Sequence, residues 1–302
     1  MGPAEHTGVI RKLSSLVAIF TLLGMLLGGG VASAASSRRP APPRVPITIP
    51  VPTGPRVLVY GDSLVHEAAP YARDLLANVA RVDARVLGAP GGSLCDLLPQ
   101  MYRDAQQFQP AVVVIDFSGN AFGPCMKHAD GSDLNKTEWL AKYKADTIEA
   151  IRIFRKGSPQ IWLGTAPIAL VPEKKQDMDV FHLAAMEHAL ARDNPRVHVA
   201  EAGSAVLDHG SWTHDLRCLP KEPCQGGFKP DLNDTRVDGV NIVRAPDGAH
   251  FCPVPYPQLE DCPVYASGGL RYAAGLLYPA LAAMGLLDAG RYNESIFSGW
   301  AP

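Results

Sequence analysis

The run AVVVIDF at residues 111–117 constrains the fold more than any other stretch of this 302-residue chain. Its apolar residues follow one another without alternation, which is the pattern of a strand that is covered on both faces. Strands of that kind belong to parallel sheets that are packed between layers of helices. The run therefore predicts a central strand of an α/β fold.

Strand-like and helix-like stretches alternate on both sides of this run. Because parallel strands are joined by right-handed crossover helices, the alternation predicts a parallel sheet with helices on its faces. Chemistry in such sheets takes place beyond the carboxyl ends of the strands. The predicted strands, including this run, are 56–60, 82–87, 111–117, 160–165 and 197–200, and the predicted helices are 66–80, 94–108, 138–154, 180–192 and a last one within 268–287.

The first 55 residues differ in composition from the rest. Two basic residues, Arg11 and Lys12, precede an apolar run that ends in Ala-Ser-Ala at 32–34, which is the pattern of a secretory signal peptide cleaved after Ala34. An uncleaved membrane anchor is the alternative, although the run is short and its glycines weaken a helix. The proline-rich residues 35–55 are expected to form an extended linker or tether. Both interpretations predict export to the outside of the cell or to the cell envelope.

The remaining residues, 56–302, are expected to form one catalytic domain with a cysteine-rich loop excursion at about 203–265. The whole chain has a net charge of −2, with no basic excess. Nucleic acid is therefore not an expected partner, and electrostatic attraction to anionic membranes is not expected either. We expect the protein to be a monomer.

Six cysteines are an even number, which favours disulfides in an exported protein. Fifteen connectivities are open, so pairing by proximity is a hypothesis. Zinc binding is the alternative, and His209 and His214 could join Cys218 as ligands, but the paired CxxC spacing of zinc sites is missing. We therefore expect no metal. The pairings expected from proximity are Cys95–Cys125, Cys218–Cys224 and Cys252–Cys262.

The first predicted strand ends in Gly-Asp-Ser, which places Ser63 at a strand end. A serine hydroxyl becomes a nucleophile when a histidine takes its proton and a carboxylate holds that histidine. His250 is the candidate base. Asp247 precedes it by three residues, a spacing that lets the carboxylate reach Nδ1 and leaves Nε2 for the serine. Asp62 is adjacent to Ser63 and is expected to cap a turn or helix rather than to act as a base.

Acyl transfer also needs hydrogen-bond donors for the oxyanion. The candidates are the backbone N–H of Ser63, the backbone N–H of Gly91 in the loop GAPGGS, and the side-chain amide of Asn120 after the AVVVIDF run. A phosphate-binding loop is the alternative for the glycines, but the Lys-Ser/Thr that should follow them is absent.

Four segments, GDSL at 61–64, GAPGGS at 88–93, SGN at 118–120 and DGAH at 247–250, resemble those of the SGNH (GDSL-like) hydrolases in order and spacing. The resemblance implies a flavodoxin-like three-layer α/β/α sandwich with a five-stranded parallel sheet. It also implies Ser63 as nucleophile, His250 as base, Asp247 as third member, and Ser63, Gly91 and Asn120 as the oxyanion hole. The segments GAPGGSLCD and DGAHFCP are similar to secreted SGNH domains associated with polysaccharide O-acetyltransferases, whereas Ala121 replaces the acidic residue of the usual pattern.

These features predict a secreted serine esterase of short-chain acyl esters. The resemblance implies small-molecule, glycan or lipid esters as substrates, among them O-acetyl groups of the cell envelope, and no cofactor. Two alternatives stay open. The same acyl-enzyme could transfer its acyl group to a glycan hydroxyl, which would make the protein an O-acyltransferase. The domain could instead be a non-catalytic module that binds the envelope.

Overall fold

Five parallel strands form the central sheet of the protein, for which a computed structural model describes residues 54–170, 179–228, 236–254 and 262–300. The strands stand in the order β2-β1-β3-β4-β5. This is the flavodoxin-like order, and it confirms the predicted fold class. The bounds of the strands are β1 Arg56–Gly61, β2 Asp83–Gly88, β3 Val112–Asp116, β4 Gln160–Gly164 and β5 Val197–Ala200.

Helices cover both faces of the sheet, so the domain has three layers. Successive residues of β1 point to opposite faces, and Val57 and Val59 pack with helices α1 and α5 whereas Leu58 packs with α2, α3 and α4. All residues of β3 are buried, as the AVVVIDF run predicts. The described ranges contain the helices α1 Ser63–Asp74, α2 Leu94–Gln107, α3 Lys136–Ile153, α4 Asp179–Asp193, α5 Ser267–Ala283 and α6 Ala289–Glu294.

The topology defines where a ligand can bind. The chain passes from β1 to β2 on one side and then to β3 on the other side of β1. Connections therefore leave the carboxyl ends of β1 and β3 in opposite directions and open a crevice between them. The register pairs Gly61 with Asp116, so Ser63 and Ser118, each two residues further on, both follow this edge.

Several helices differ from the sequence predictions. Helix α1 begins at Ser63, three residues before the predicted start, because the side chain of Asp62 accepts a hydrogen bond from Leu64 N–H and caps the helix. It is followed by one π-helical turn, Leu75–Val79. A short helix, α6, follows α5 and was not predicted.

The excursion at about 203–265 contains more regular structure than a loop. A 3-10 turn, Ala202–Val206, leads into it. In its described parts, short strands of two or three residues then form antiparallel pairs. These pairs are Leu207–Asp208 with Ser211–Trp212, Asp215–Arg217 with Val240–Ile242, and Gly227–Phe228 with Arg236–Val237.

The structure contains all three disulfides that proximity predicted: Cys95–Cys125, Cys218–Cys224 and Cys252–Cys262. The signal peptide or anchor at 1–34 and nearly all of the linker at 35–55 lie outside the described residues and stay predictions. Within the described part of the chain, none of the helices combines the length and the apolar character needed to cross a bilayer.

Candidate active site

The turn from β1 into α1 places Ser63 at the carboxyl edge of the sheet. Ser63 is the first residue of α1, where backbone N–H groups have no acceptor inside the helix. Gly61 permits this turn because a Cβ there would lie 2.5 Å from the backbone oxygen of Asp116 and closer still to Val65. The serine side chain is buried, with 6% of its surface exposed.

His250 and Asp247 complete a chain of contacts that starts at Ser63. The Nε2 atom of His250 lies 3.0 Å from Ser63 Oγ, and its Nδ1 atom lies 2.6 Å from Asp247 Oδ2. The other oxygen of Asp247 accepts the backbone N–H groups of Ala249 and His250 at 2.9 and 3.0 Å. Because the residues are 187 positions apart, only the tertiary fold brings His250 to Ser63.

The electrostatics of this pair favour an imidazole that accepts protons. Burial lowers the pKa of His250, but the hydrogen bond that Nδ1–H donates to Asp247 and the negative charges of Asp247, Glu67 and Asp62 outweigh burial and leave the pKa above its ordinary value. Burial raises the pKa of Asp247, and its three hydrogen bonds from His250 and Ala249 more than reverse this, so the pKa lies well below its usual range. Asp247 is therefore a carboxylate at neutral pH.

A buried arginine, Arg244, stabilises residues 245–252, here called the base loop. Arg244 donates to the carbonyl of Ala249 through one guanidinium nitrogen and to the carbonyl of Ile168 through another, both at 3.0 Å. Its guanidinium also lies 5.4 Å from the centre of the Phe251 ring. Burial lowers the pKa of Arg244 to about 10, so the side chain stays charged at neutral pH.

Gly248, at the tip of the base loop, has a φ of 80° and a carbonyl that accepts two hydrogen bonds. The donors are the indole N–H of Trp212 at 2.9 Å and the backbone N–H of Leu170 at 3.2 Å. Ala245 N–H also donates to His250 O at 2.7 Å and closes the loop on itself. The sequence analysis did not identify Trp212, Leu170 or Arg244 as supports of His250.

The two other predicted donor segments follow β2 and β3, the strands on either side of β1. We call residues 88–93 the glycine loop and residues 118–120 the SGN loop. Gly91 has a φ of 70°, a backbone conformation that favours glycine. The hydroxyl of Ser93 donates to Asn120 O at 2.6 Å, and the Asn120 side-chain amide donates to Gly92 O at 3.3 Å. The loops are thus bonded to each other.

Helix α3 fixes the SGN loop from behind. Tyr143 OH donates to Asn120 O at 2.7 Å, and the indole N–H of Trp139 donates to Gly119 O at 3.0 Å. Gly119 has a φ of 103°, and a Cβ there would lie 2.8 Å from the Trp139 ring. Backbone geometry and packing both require glycine at this position.

Asp62 connects the turn between β1 and α1 to the SGN loop. One carboxylate oxygen caps α1, as the sequence predicted, and the other accepts the N–H and hydroxyl of Ser118 at 2.7 and 2.6 Å. The same oxygen lies 3.3 Å from the amide nitrogen of Asn120. Burial raises the pKa of Asp62, and the hydrogen bonds from Ser118 and Leu64 oppose that rise.

A second buried acid lies beneath this edge. Asp116 accepts a short hydrogen bond from Tyr272 OH. Burial and the neighbouring charge of Asp62 raise the pKa of Asp116 well above its ordinary value, although the Tyr272 bond lowers it. Burial and the charge of Asp62 thus both act against the ionised form of Asp116.

The cysteine considered as a metal ligand forms a disulfide instead. Cys218 is bonded to Cys224, which removes its thiolate as a ligand for a site with His209 and His214. The described residues contain one group with metal-like spacing, Cys95, Asp96 and Cys125, and its two sulfurs form a disulfide.

No protein-family model matches the chain, and no curated protein matches it in sequence. Several solved structures are similar to it at a distance. A GDSL-like lipase from Bacteroides thetaiotaomicron is 13% identical, with 78% of this chain and 91% of that chain covered and a TM-score of 0.44. A lipase/acylhydrolase from Enterococcus faecalis is 18% identical, covering 52% and 86%, with a TM-score of 0.38. An acetylxylan esterase from Geobacillus stearothermophilus is 16% identical, covering 51% and 79%, with a TM-score of 0.37. Similarity at this distance assigns no function, so the assignment depends on the site itself.

Proposed function

We propose that this protein is a serine esterase of the SGNH type that cleaves acyl esters through a Ser63 acyl-enzyme. One observation carries the proposal: Ser63 Oγ, the His250 ring and the Asp247 carboxylate form a continuous chain with contacts of 3.0 and 2.6 Å. This is the arrangement of a nucleophile, a base and an orienting carboxylate. It stands in the crevice where the topology opens the sheet edge.

In the proposed reaction, Asp247 accepts a hydrogen bond from Nδ1–H of His250, which holds the imidazole in the tautomer whose Nε2 is free to take a proton. Ser63 Oγ forms a bond to the ester carbonyl carbon while its own proton moves to Nε2. The imidazolium then gives that proton to the departing alkoxide as the ester C–O bond breaks. A water molecule attacks the acyl-enzyme with His250 again as base, and the acid leaves as Ser63 regains its proton.

The carbonyl oxygen becomes negative in both steps and needs donors that are already in place. The proposed donors are the backbone N–H groups of Ser63 and Gly91 and the side-chain amide of Asn120. Both contacts of the Asn120 amide nitrogen are 3.3 Å long, which is beyond the usual 2.9–3.0 Å for N–H···O bonds. An oxyanion can therefore compete for one of its hydrogens at small cost.

We propose short acyl esters outside the cytoplasm as substrates, with O-acetyl groups of envelope glycans or lipids among them. Three disulfides support an oxidising location. The apolar segment near residue 16 supports export, and as an uncleaved anchor it would tether the domain to a membrane.

A fluorophosphonate probe followed by peptide mapping tests the assignment. We expect one adduct on Ser63, and we expect hydrolysis of p-nitrophenyl acetate to be lost in Ser63→Ala. Ser204→Ala is the matched control, because Ser204 is exposed and its hydroxyl is bonded only to a local carbonyl, Glu201 O, at 2.6 Å. That variant should label and turn over as the wild type does.

An acyl-length series on the same sample defines the substrate, and a glycan acceptor defines the fate of the acyl group. Free acetate in the presence of acceptor supports the esterase. Acetylated glycan in its place would make the protein an acyltransferase with the same triad. Absence of an adduct on Ser63, with equal turnover by Ser63→Ala, would overturn the catalytic assignment and leave a binding module.

A further inference from the structure

Glu67 is a buried acid that lies outside the proposed triad and bonds directly to the base loop. Its Oε2 atom accepts the backbone N–H of Phe251 at 2.6 Å and that of Cys252 at 3.2 Å. These are the two residues that follow His250. Glu67 stands one helical turn after Ser63 on α1, so a single turn of helix carries both the nucleophile and a contact to the base loop.

Burial of this carboxyl group costs free energy, which indicates that Glu67 has a role beyond packing. Glu67 is 8% exposed, and its second oxygen, Oε1, is buried without a hydrogen-bond partner among the described residues. Burial raises the pKa of Glu67, and the bonds from Phe251 and Cys252 and the charge of His250 oppose the rise. An apolar residue would pack there at lower cost, but it would leave two buried N–H groups unsatisfied.

We propose that Glu67 is a positioning residue that fixes the base loop to helix α1 and thereby holds His250 at hydrogen-bonding distance from Ser63. This inference rests on the proposed function, because positioning matters only if His250 acts on Ser63. Arg244 and Trp212 hold the loop at Ala249 and Gly248, which precede His250. Glu67 supplies the bonds on the side that follows it.

Glu67 also contributes to the charge around the imidazole. Three acidic groups face His250: Asp247 within the base loop, Asp62 at the N-cap of α1 and Glu67 on α1. All three negative charges raise the pKa of the imidazole. Arg244 approaches the same loop from below. Removal of the Glu67 charge should therefore lower the pKa of His250, whereas a purely structural contact would leave it unchanged.

Two variants separate position from charge. Glu67→Gln keeps one carbonyl acceptor for Phe251 N–H and removes the charge, so we expect kcat to stay within about threefold of the wild type while the acidic limb of kcat/KM moves to lower pH. Glu67→Ala removes the acceptor, and we expect kcat to fall by about 30-fold because two buried N–H groups lose their partner and the loop shifts. In Glu67→Ala, the amides of Phe251 and Cys252 should exchange with deuterium faster.

Glu222→Gln is the matched control. Glu222 is equally buried at 7% exposure and also accepts a backbone N–H at 2.6 Å, from Leu219, but its other partners are Tyr265, Ser267 and Arg271. We expect this variant to lower the melting temperature and to leave the acidic limb and the exchange of Phe251 and Cys252 unchanged.

Amide exchange separates this inference from the proposed function. If the wild type hydrolyses no ester, the proposed function fails, and protection of Phe251 and Cys252 that depends on Glu67 still establishes the anchor. Suppose instead that the wild type is active. The inference is overturned if Glu67→Gln leaves the acidic limb of kcat/KM in place and Glu67→Ala keeps the wild-type kcat and the wild-type amide exchange of Phe251 and Cys252. If Glu67→Ala does not fold, Glu67→Gln decides, and an acidic limb at the wild-type pH in that variant would overturn the inference.

Discussion

The carboxylate of Asp62 accepts both the N–H and the hydroxyl of Ser118, a residue 56 positions later in the chain, at 2.7 and 2.6 Å. This pair joins the turn that carries Ser63 to the loop that carries Asn120. The distance between the nucleophile and one proposed oxyanion donor therefore depends on a side chain that takes no part in the chemistry. Ser118 is part of the SGN segment, and its side chain connects the two segments through Asp62.

Ser118→Ala should accordingly lower kcat/KM by about tenfold. The variant keeps the backbone bond to Asp62 and loses the hydroxyl bond, at a cost of about 1–3 kcal/mol for a buried bond to a charged group. The loss falls on transition-state stabilisation because Asn120 is displaced. Steady-state kinetics on p-nitrophenyl acetate measures it.

Ser132→Ala is a matched control for this change. The N–H and the hydroxyl of Ser132 both donate to the same carboxylate oxygen of Asp130, as those of Ser118 do to Asp62. The Ser132 pair, however, lies on an exposed turn. Its removal should leave kcat/KM at the wild-type value. Equal kinetics in Ser118→Ala and Ser132→Ala would contradict the role of Ser118.

The pH dependence of activity should follow from His250. The base must be neutral to accept a proton, and its pKa in the folded protein lies above the ordinary value of about 6.5. The neutral fraction therefore begins to fall at a higher pH than for a free histidine. We expect kcat/KM to decrease with falling pH, with a midpoint above that ordinary value.

Asp247→Asn should move this midpoint to lower pH and reduce the plateau by about 10⁴-fold, because the wrong tautomer is then favoured. Asp215→Asn is the control, since Asp215 Oδ2 lies 3.0 Å from Nδ1 of His214 in a similar pair outside the triad. A midpoint that stays in place in Asp247→Asn would show that another group titrates in the acidic limb.

The sheet could be predicted from the sequence because local patterns determine it. Continuous apolar runs identify the buried strands, and the alternation with helices identifies a parallel sheet. The start of α1 could also have been found, since Asp62 was already interpreted as a capping residue and a cap lies immediately before its helix. The strand register pairs Gly61 with Asp116, two residues before Ser63 and Ser118.

The supports of the site could not be predicted in the same way. Glu67 contacts residues 184 and 185 positions away, and Arg244 contacts Ile168 across 76 positions. No periodicity links such residues, and a glutamate on a helix or an arginine before a turn ordinarily faces solvent. Only the way in which the excursion folds back over the sheet edge buries them.

The disulfide Cys95–Cys125 should be required for both stability and full activity. Cys95 lies in the first turn of α2, which follows the glycine loop, and Cys125 lies in the 3-10 turn Pro124–Met126, which follows the SGN loop. The bond therefore joins the segments next to the two loops over a separation of 30 residues. Cys95→Ala with Cys125→Ala should cost about 3–4 kcal/mol from the lost loop constraint. We expect a melting temperature lower by about 10 °C and a severalfold smaller kcat.

Cys218→Ala with Cys224→Ala gives the comparison, because this bond closes only a six-residue separation in the excursion. It should destabilise the fold less and leave kcat unchanged. The role assigned to Cys95–Cys125 would be wrong if the two double variants had the same kcat, measured at a temperature where both are folded.

Phe122 should contribute to substrate binding rather than to chemistry. Its side chain is 76% exposed, and a Cβ placed on Gly91 would lie 3.8 Å from its ring. An apolar ring next to a proposed oxyanion donor offers contact area to the acyl or alcohol part of a bound ester. Loss of about 40 Å² of such contact costs about 1 kcal/mol, so Phe122→Ala should raise KM about fivefold and leave kcat unchanged.

The effect should grow with the apolar length of the acyl group, because more carbon then lies against the ring. A series from p-nitrophenyl acetate to p-nitrophenyl hexanoate measures this dependence in the wild type and in Phe122→Ala. Tyr102→Ala is the control, since Tyr102 is an aromatic residue with 57% exposure on α2. It lies nine residues after Ser93, which is about 13 Å along the helix from the end of the glycine loop. Equal KM values for both variants along the series would mean that the ester binds away from Phe122.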